Sequence, residues 1–259
     1  MKNTLSVLTT KSVNGVARIK LNEPTTYNAL STKTLQLLIV SLRKLNIDAK
    51  IKVIIIEGSG KGFSAGHNLK EVRSLKKKIK YKKLFSLCSK LMLEIVQGNK
   101  PVIAKVHGAA FAAGCQLVAS CDLAISSEEA MFATPGVNIG LFCSTPMVAL
   151  SRVVKSKHSM EMLLTGDFID ADKAKNIGLI NNYFSEDSLV CEIREMANKI
   201  ANKSSQTVKI GKKAFYNQAQ MKTDDAYKYA SEVMIENMMN QDSDEGISAF
   251  LEKREPNWS

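Results

Sequence analysis

The sequence predicts an α/β fold with mainly parallel strand pairing in its first half and a helical second half. Three observations point there. Apolar, β-branched runs such as "IKVIIIEGSG" and "KPVIAKVHG" alternate with stretches of helical spacing up to about residue 143, and such alternation builds parallel sheets through crossover helices. Beyond that point short capped helices, and then longer ones, take over. A chain of 259 residues, 45% hydrophobic and 24% charged, can also close a full core without disulfide or metal staples.

The elements follow in order. "MKNTLSVLTTKSVNGVARIKLN" alternates like a strand, turns at "VNG" and alternates again, as a hairpin does. "LSTKTLQLLIVSLRKLN" opens on Ser31, a good N-cap, and carries apolar residues at helical spacing. "IKVIIIEGSG" is a buried strand ended by glycines. "GFSAGHNLKEV" reads as a tight loop of small residues. A helix is expected from about Leu84 to Val96, then the strand "KPVIAKVHG", then a helix of small residues in "AAFAAGCQLVAS". "CDLAIS" and "AMFAT" are short strands. "STPMVALSRVV", "HSMEMLLTG" and "DADKAKNIG" are short helices with caps and glycine stops. "LINNYFSE" is a last strand before four helices. The expected division is a core over residues 1–190 and a helical region over 191–259.

Composition excludes several classes. No apolar run approaches the ~18 residues of a membrane span. The first residues lack an apolar signal core and an Arg- and Ser-rich presequence, so the cytosol is the expected compartment, with a mitochondrial matrix as the alternative if a presequence has been removed. Cys88, Cys115, Cys121, Cys143 and Cys191 form no CxxC pair, and the three histidines, His67, His107 and His158, have no ligand-like spacing. The cysteines read as reduced thiols and no metal site is expected. The net charge of +11 is densest in "LKKKIKYKK", which is either a solvated face or an attractor for a phosphorylated ligand. Only Tyr81 and Phe85 are near enough to stack on bases, so no nucleic-acid partner is expected. Met234, Met238 and Met239 sit at helical spacing and read as core or subunit contact.

Two segments carry chemistry. In "SAGHNLKE" and "GAAFAAGCQ", small residues stand where backbone approaches a ligand closely. Each can leave a free N–H at a loop-to-helix junction, one from His67 and one from Ala113. Two such donors aimed at one oxygen stabilise a developing oxyanion, and the second also lies at a helix N-terminus.

With these motifs in order, the chain resembles the crotonase, or enoyl-CoA hydratase/isomerase, superfamily. The resemblance runs through "LNEPTTYNALS", "GFSAGHNLKE", "KPVIAKVHGAAFAAGCQLVASCDLAI", "FATPGVNIGLF" and "EGISAFLEKREP". Within it, "AGCQLVASCD" and the ending "EGISAFLEKREPNW" are similar to the enoyl-CoA hydratase domain-containing protein 3 group. The resemblance implies a ClpP/crotonase-like spiral of ββα units with a C-terminal helical trimerisation region, assembling as a trimer or a hexamer of two trimers. It implies no prosthetic group, a coenzyme A thioester as ligand, and a place in fatty-acid metabolism. His67 and Ala113 would supply the oxyanion N–H groups. Ala65, Leu69 and Lys70 would line the coenzyme A channel, Thr25, Thr26 and Tyr27 would touch the ligand, and Phe250, Lys253 and Arg254 would approach it from the last helix, of the same or a neighbouring subunit.

The departures matter as much. Hydratases of the superfamily carry two glutamates that position and activate water; the first falls on Gln116 and the second on Gly136. An amide cannot exchange a proton near neutral pH, and general acid–base groups contribute about 10²- to 10⁴-fold to a rate. Relatives with glycine at the second position look to recruit a small anion such as bicarbonate as base. Thr25 replaces a common basic residue and Asn68 a usual aspartate. Four groups remain as candidates near the site. The His67 side chain either shapes the site or acts directly, Glu71 reads as a helix-start carboxylate, and Cys143 and Ser144 read as lining the acyl pocket. A crotonase-fold acyl-CoA protein with altered or weak lyase or isomerase chemistry is the first reading. A catalytically inactive acyl-CoA binder or assembly subunit is the alternative.

Overall fold

The computed structural model describes residues 5–11 and 14–259. Its strands are β1 (Val7–Lys11), β2 (Val16–Leu21), β3 (Val53–Gly58), β4 (Gly62–Ser64), β5 (Val102–Val106), β6 (Ala109–Phe111), β7 (Leu123–Ser127), β8 (Met131–Ala133) and β9 (Asn182–Phe184). The helices are α1 (Thr32–Ile47), α2 (Leu69–Leu75), α3 (Lys78–Val96), α4 (Ala113–Ser120), α5 (Pro146–Val153), α6 (Ser156–Thr165), α7 (Ala171–Asn176), α8 (Glu186–Ala201), α9 (Ser205–Gln218), α10 (Thr223–Met238) and α11 (Gln241–Glu252). Short 3₁₀ turns cover Pro24–Thr26 and Pro135–Ile139.

Two sheets result. One runs β1-β2-β3-β5-β7-β9 and the other β4-β6-β8. The β1–β2 hairpin is antiparallel and every other pairing is parallel. The hairpin forms as expected from the alternation, with Lys11 opposite Ala17; Val13 of its expected turn, like residues 1–4, lies outside the described residues. Each turn of the spiral lays a strand in the large sheet and a three-residue strand in the small one. The small sheet therefore brings residues 62–64, 109–111 and 131–133 side by side.

Alternation along β3 sorts the core into two layers. Ile54 and Ile56 join Leu35, Leu38 and Leu42 of α1 and Leu84, Leu91 and Ile95 of α3. Val53 and Ile55 face the other way, toward Leu189, Ile193, Ala197 and Ala201 of α8. The expected boundary at residue 190 thus falls inside a helix that covers the large sheet. Ser31 caps α1 as expected, accepting from the Thr34 N–H.

Three elements differ from the sequence expectation. The helix α3 begins at Lys78, six residues before Leu84, so most of the lysine run is helical. "AAFAAGCQ" divides into strand β6 and helix α4, and "GFS" is strand β4. For the two short strands, pairing across the small sheet overrides local propensity.

A buried polar latch ties the helical region to the core. Lys212 on α9 donates to the carbonyls of Ile95 and Lys100 and to Asp122 at 2.6 Å. Tyr216 donates to the other Asp122 oxygen at 2.9 Å. At the chain end, Ser204 and Ser259 donate to Asp242, and the Trp258 indole donates to the Asn202 carbonyl.

Candidate active site

The site forms where β4 and β6 leave the small sheet. Ala112 has φ 48° and ψ −114°, a conformation usual for the first central residue of a type II′ turn and uncommon for alanine. Its N–H is held by the Ala133 carbonyl. The turn delivers the chain into α4, all of whose residues are buried, and it leaves the Ala113 N–H at the helix start, where no intrahelical acceptor exists.

The neighbouring loop is locked against this turn by two glycines. A Cβ on Gly114 would lie 2.2 Å from the Ser64 carbonyl oxygen. A Cβ on Gly66 would lie 2.8 Å from the Phe111 oxygen and 3.0 Å from the Ala113 nitrogen. No other residue fits at either point, so the backbones of residues 64–66 and 111–114 touch. His67 follows directly. Among the described residues no acceptor takes the His67 or the Ala113 N–H. Two unengaged donors on touching loops are able to hold one anionic oxygen.

The ring of His67 is oriented by its surroundings. Its Nδ1 lies 3.3 Å from the Leu30 carbonyl, which only accepts, so Nδ1 carries the hydrogen. Its Nε2 is buried without a partner. Burial holds the imidazole below its ordinary value of 6.5, against smaller opposite effects from the Leu30 carbonyl and Glu71, so the ring is neutral at pH 7. Phe85 of α3 meets it edge-on, 5.5 Å between ring centres. One turn along α3, the Cys88 thiol reaches the Gln116 Oε1 at 3.8 Å. Burial pushes that thiol up to about 12, so it stays protonated.

Gln116 is buried on α4. Gly136 sits in the second 3₁₀ turn, and its place is closed: a Cβ there would lie 2.2 Å from the Leu141 oxygen and 2.8 Å from the Cys143 sulfur. The Cys143 thiol is buried and raised by that burial, and Ser144 donates to the Phe142 carbonyl. Neither is an activated nucleophile. Glu71 accepts the Thr32 N–H at 3.0 Å, holding the start of α1, and Asn68 caps α2 by accepting the Glu71 N–H. The helix-start reading of Glu71 stands, with the twist that it serves a second helix. His107 is partly exposed, and its Nε2 lies 2.8 Å from the Gly60 carbonyl.

Beside the turn, Thr25, Thr26 and Tyr27 are exposed, and the Tyr27 carbonyl accepts the Ala65 N–H at 2.9 Å. Ala65, Leu69 and Lys70 are exposed on the same loop and the first turn of α2. The structure therefore brings these two candidate groups together. Sequence reading missed what holds them. Asn28 is buried at φ 54°, and its amide group binds the Glu23 N–H and the carbonyls of Ser59 and Gly62. Its only sequence signal was an asparagine after a small-residue turn. Lys70, Arg73 and the lysines of 76–83 are exposed, and none takes part in an ion pair among the described residues.

Phe250, Lys253 and Arg254 are elsewhere. The helix α11 packs on α9 and α10, and no hydrogen bond joins these residues to the loops above. The Arg254 guanidinium forks onto Glu245 at 2.7 and 2.9 Å and also bonds Glu252 at 2.6 Å. That pairing holds the Glu245 carboxyl down at about 2. Among the described residues there is no cluster of three or more metal-ligating side chains and no helix long and apolar enough to cross a membrane. All five cysteines are free.

A spiral whose small sheet presents two touching loops with unengaged N–H groups defines a crotonase-type protein, and comparison agrees: the enoyl-CoA hydratase/isomerase family pattern matches residues 11–259. The chain belongs to that family. It is similar to enoyl-CoA hydratase domain-containing protein 3, mitochondrial, of Xenopus laevis, 46% identical over 95% of this chain and 83% of that one. The human protein of the same name is 44% identical over 96% of this chain and 82% of its own length. Among solved structures, an enoyl-CoA hydratase of Mycobacterium smegmatis superposes with a TM-score of 0.96 at 46% identity, covering 98% of each chain. Human enoyl-CoA hydratase domain-containing protein 3 superposes at 0.95 and 43% identity, covering 98% of this chain and 100% of that one.

Proposed function

We propose that this chain binds acyl-CoA thioesters and polarises the thioester carbonyl between the N–H groups of His67 and Ala113. One observation carries this reading: the interlock of Gly66 and Gly114 with the facing backbone, which holds two unengaged donors on touching loops. Donors fixed before the ligand arrives stabilise developing negative charge without reorganisation. Thr25, Thr26, Tyr27, Ala65, Leu69 and Lys70 then line the coenzyme A channel. The unpaired cations of α2 and the start of α3 attract its phosphates.

Hydration by two glutamates is not the reaction. Gln116 orients a ligand or water by hydrogen bonds, and the space for a side chain at Gly136 is taken by the Leu141 carbonyl. If the site turns over, it does enolate chemistry of the lyase or isomerase kind, within fatty-acid metabolism. The loss of both carboxylates also supports a second reading, a binder without turnover. Crotonyl-CoA separates them: binding measured by calorimetry together with loss of the enoyl absorbance means catalysis, and binding alone means the second reading. Absence of binding refutes both.

The exposed apolar face of the helical region supports a homotrimer or a pair of trimers. Met239 is 84% and Phe250 82% exposed, with Met234, Ile235, Met238 and Leu251 also open, and exposed apolar side chains on adjoining helices suit a subunit contact. Such an assembly would let Phe250 and Lys253 approach a neighbour's ligand, as the family resemblance implies. The mitochondrial names of the vertebrate relatives support a matrix setting in place of the cytosol.

A further inference from the structure

Three buried side-chain polar atoms lack a partner among the described residues: His67 Nε2, Ser126 Oγ and Asn237 Oδ1. Only the first belongs to the site. An unpaired buried acceptor is costly to the fold, and its retention calls for a use.

We propose that the His67 imidazole is the proton acceptor of this site, taking a hydrogen from the carbon next to the thioester carbonyl of a bound acyl-CoA. The inference rests on the thioester-binding reading above and assigns the proton group that Gln116 and Gly136 do not provide. Three features of the geometry carry it. Nδ1 is committed to the Leu30 carbonyl, so the lone pair resides on Nε2. The same face of α3 that meets the His67 ring through Phe85 meets Gln116 through Cys88, so ring and amide pack side by side against one helix face. The backbone of His67 itself carries one of the two free donors, so its ring starts a few bonds from the oxygen that they hold. Phe85, which meets the His67 ring edge-on, is itself partly open to solvent, so in this proposal a shift of that exposed ring admits the ligand.

The step balances within the site. The Nε2 lone pair forms the new N–H bond, and the electrons of the broken C–H bond become the enolate double bond. The carbonyl π electrons move onto oxygen, which the two N–H groups stabilise. Return of the proton reverses each movement, and no oxidant or second reactant enters. A neutral ring is needed, and burial supplies it at pH 7. Glu71 on α2 is the charged group that acts on the ring, and it is itself held by the Thr32 N–H; α3 faces the ring with Phe85 and the 29–31 segment with a carbonyl.

The test is hydrogen exchange at the α-carbon of butyryl-CoA in D₂O, read by mass spectrometry at saturating ligand. The wild-type protein should incorporate deuterium, with a rate that climbs as pD rises through a midpoint below the ordinary imidazole value and then levels. His67→Gln keeps the backbone N–H and should slow exchange by about 10²-fold or more. Exchange in the variant within a few-fold of wild type overturns the proposal, as does butyryl-CoA bound to wild type without exchange. Nitrogen-15 NMR of the wild-type imidazole guards against a misfolded variant: Nε2 should appear unprotonated and shift when butyryl-CoA is added, and an unmoved signal contradicts the assignment. A wild type that binds no butyryl-CoA overturns the thioester-binding reading itself, and the assignment to His67 with it.

Discussion

Gly114 and Ser64 touch through their backbones, so closely that a methyl group on residue 114 would lie 2.2 Å from the Ser64 carbonyl oxygen. This contact fixes the spacing between the loop that carries His67 and the turn that carries Ala113. Gly114→Ala must therefore push the loops apart. We expect a loss of about 1–3 kcal/mol in stability, measured by urea unfolding, and a loss of thioester binding larger than that change explains. Unchanged binding would mean that the spacing is not what the ligand needs.

Gln116 and Gly136 respond differently to restored glutamates. Gln116→Glu keeps the side-chain size and should leave a folded protein, its carboxyl raised by burial. Gly136→Glu collides with the Leu141 carbonyl and should lower the melting temperature by several degrees. The double variant should then lack hydratase turnover of crotonyl-CoA. Robust turnover in it would show that the 135–143 segment relaxes to accept a side chain.

Lys212 and Asp122 form a buried pair that anchors α9, with the Lys212 side chain 5% exposed. Lys212→Met leaves Asp122 without its cation and should cost about 3–5 kcal/mol. Chemical denaturation gives the size directly, and a change under 1 kcal/mol would place the pair among ordinary surface bridges.

Acid should weaken the fold through His67. Its folded value lies below the 6.5 of the exposed group, so the unfolded chain binds the proton first as pH falls. Stability is full above pH 6.5 and declines below it, down to the lowered folded value. His67→Gln should flatten that part of the stability–pH curve, and a curve identical to wild type would show that other groups carry it.

Met239 and Phe250 test the assembly. Met239→Glu and Phe250→Glu should each leave the protomer folded, because neither side chain is buried in it. Light scattering should report smaller particles than for wild type. Wild-type protein that runs as a monomer would contradict a subunit interface here.

The long elements of the large sheet were legible because they carry strong periods: β3 and β5 as β-branched runs, and α1 as a capped amphipathic helix. The small sheet was not. Its strands have three residues each, and "AAF" has the composition of a helix, so only pairing with 62–64 and 131–133 makes it a strand. The lysine run hid the first turns of α3, since charge masks a helical stripe that begins at Leu84. The candidate site residues His67, Ala113, Gln116 and Gly136 were picked out by their motifs. The unpaired His67 Nε2 and the closed space at Gly136 depend on contacts with Phe85, Leu30 and Leu141, which no local pattern announces. The latch of Lys212 on Asp122 spans 90 positions and was invisible for the same reason.

The most direct measurement is the infrared stretch of the thioester carbonyl in bound butyryl-CoA, isolated by carbon-13 labelling of that carbon. Two N–H donors from His67 and Ala113 should pull the band to lower frequency than in free butyryl-CoA, and Gly114→Ala should move it back toward the free position. A bound thioester whose band matches the free ligand would contradict the central claim that these loops form a carbonyl-polarising site.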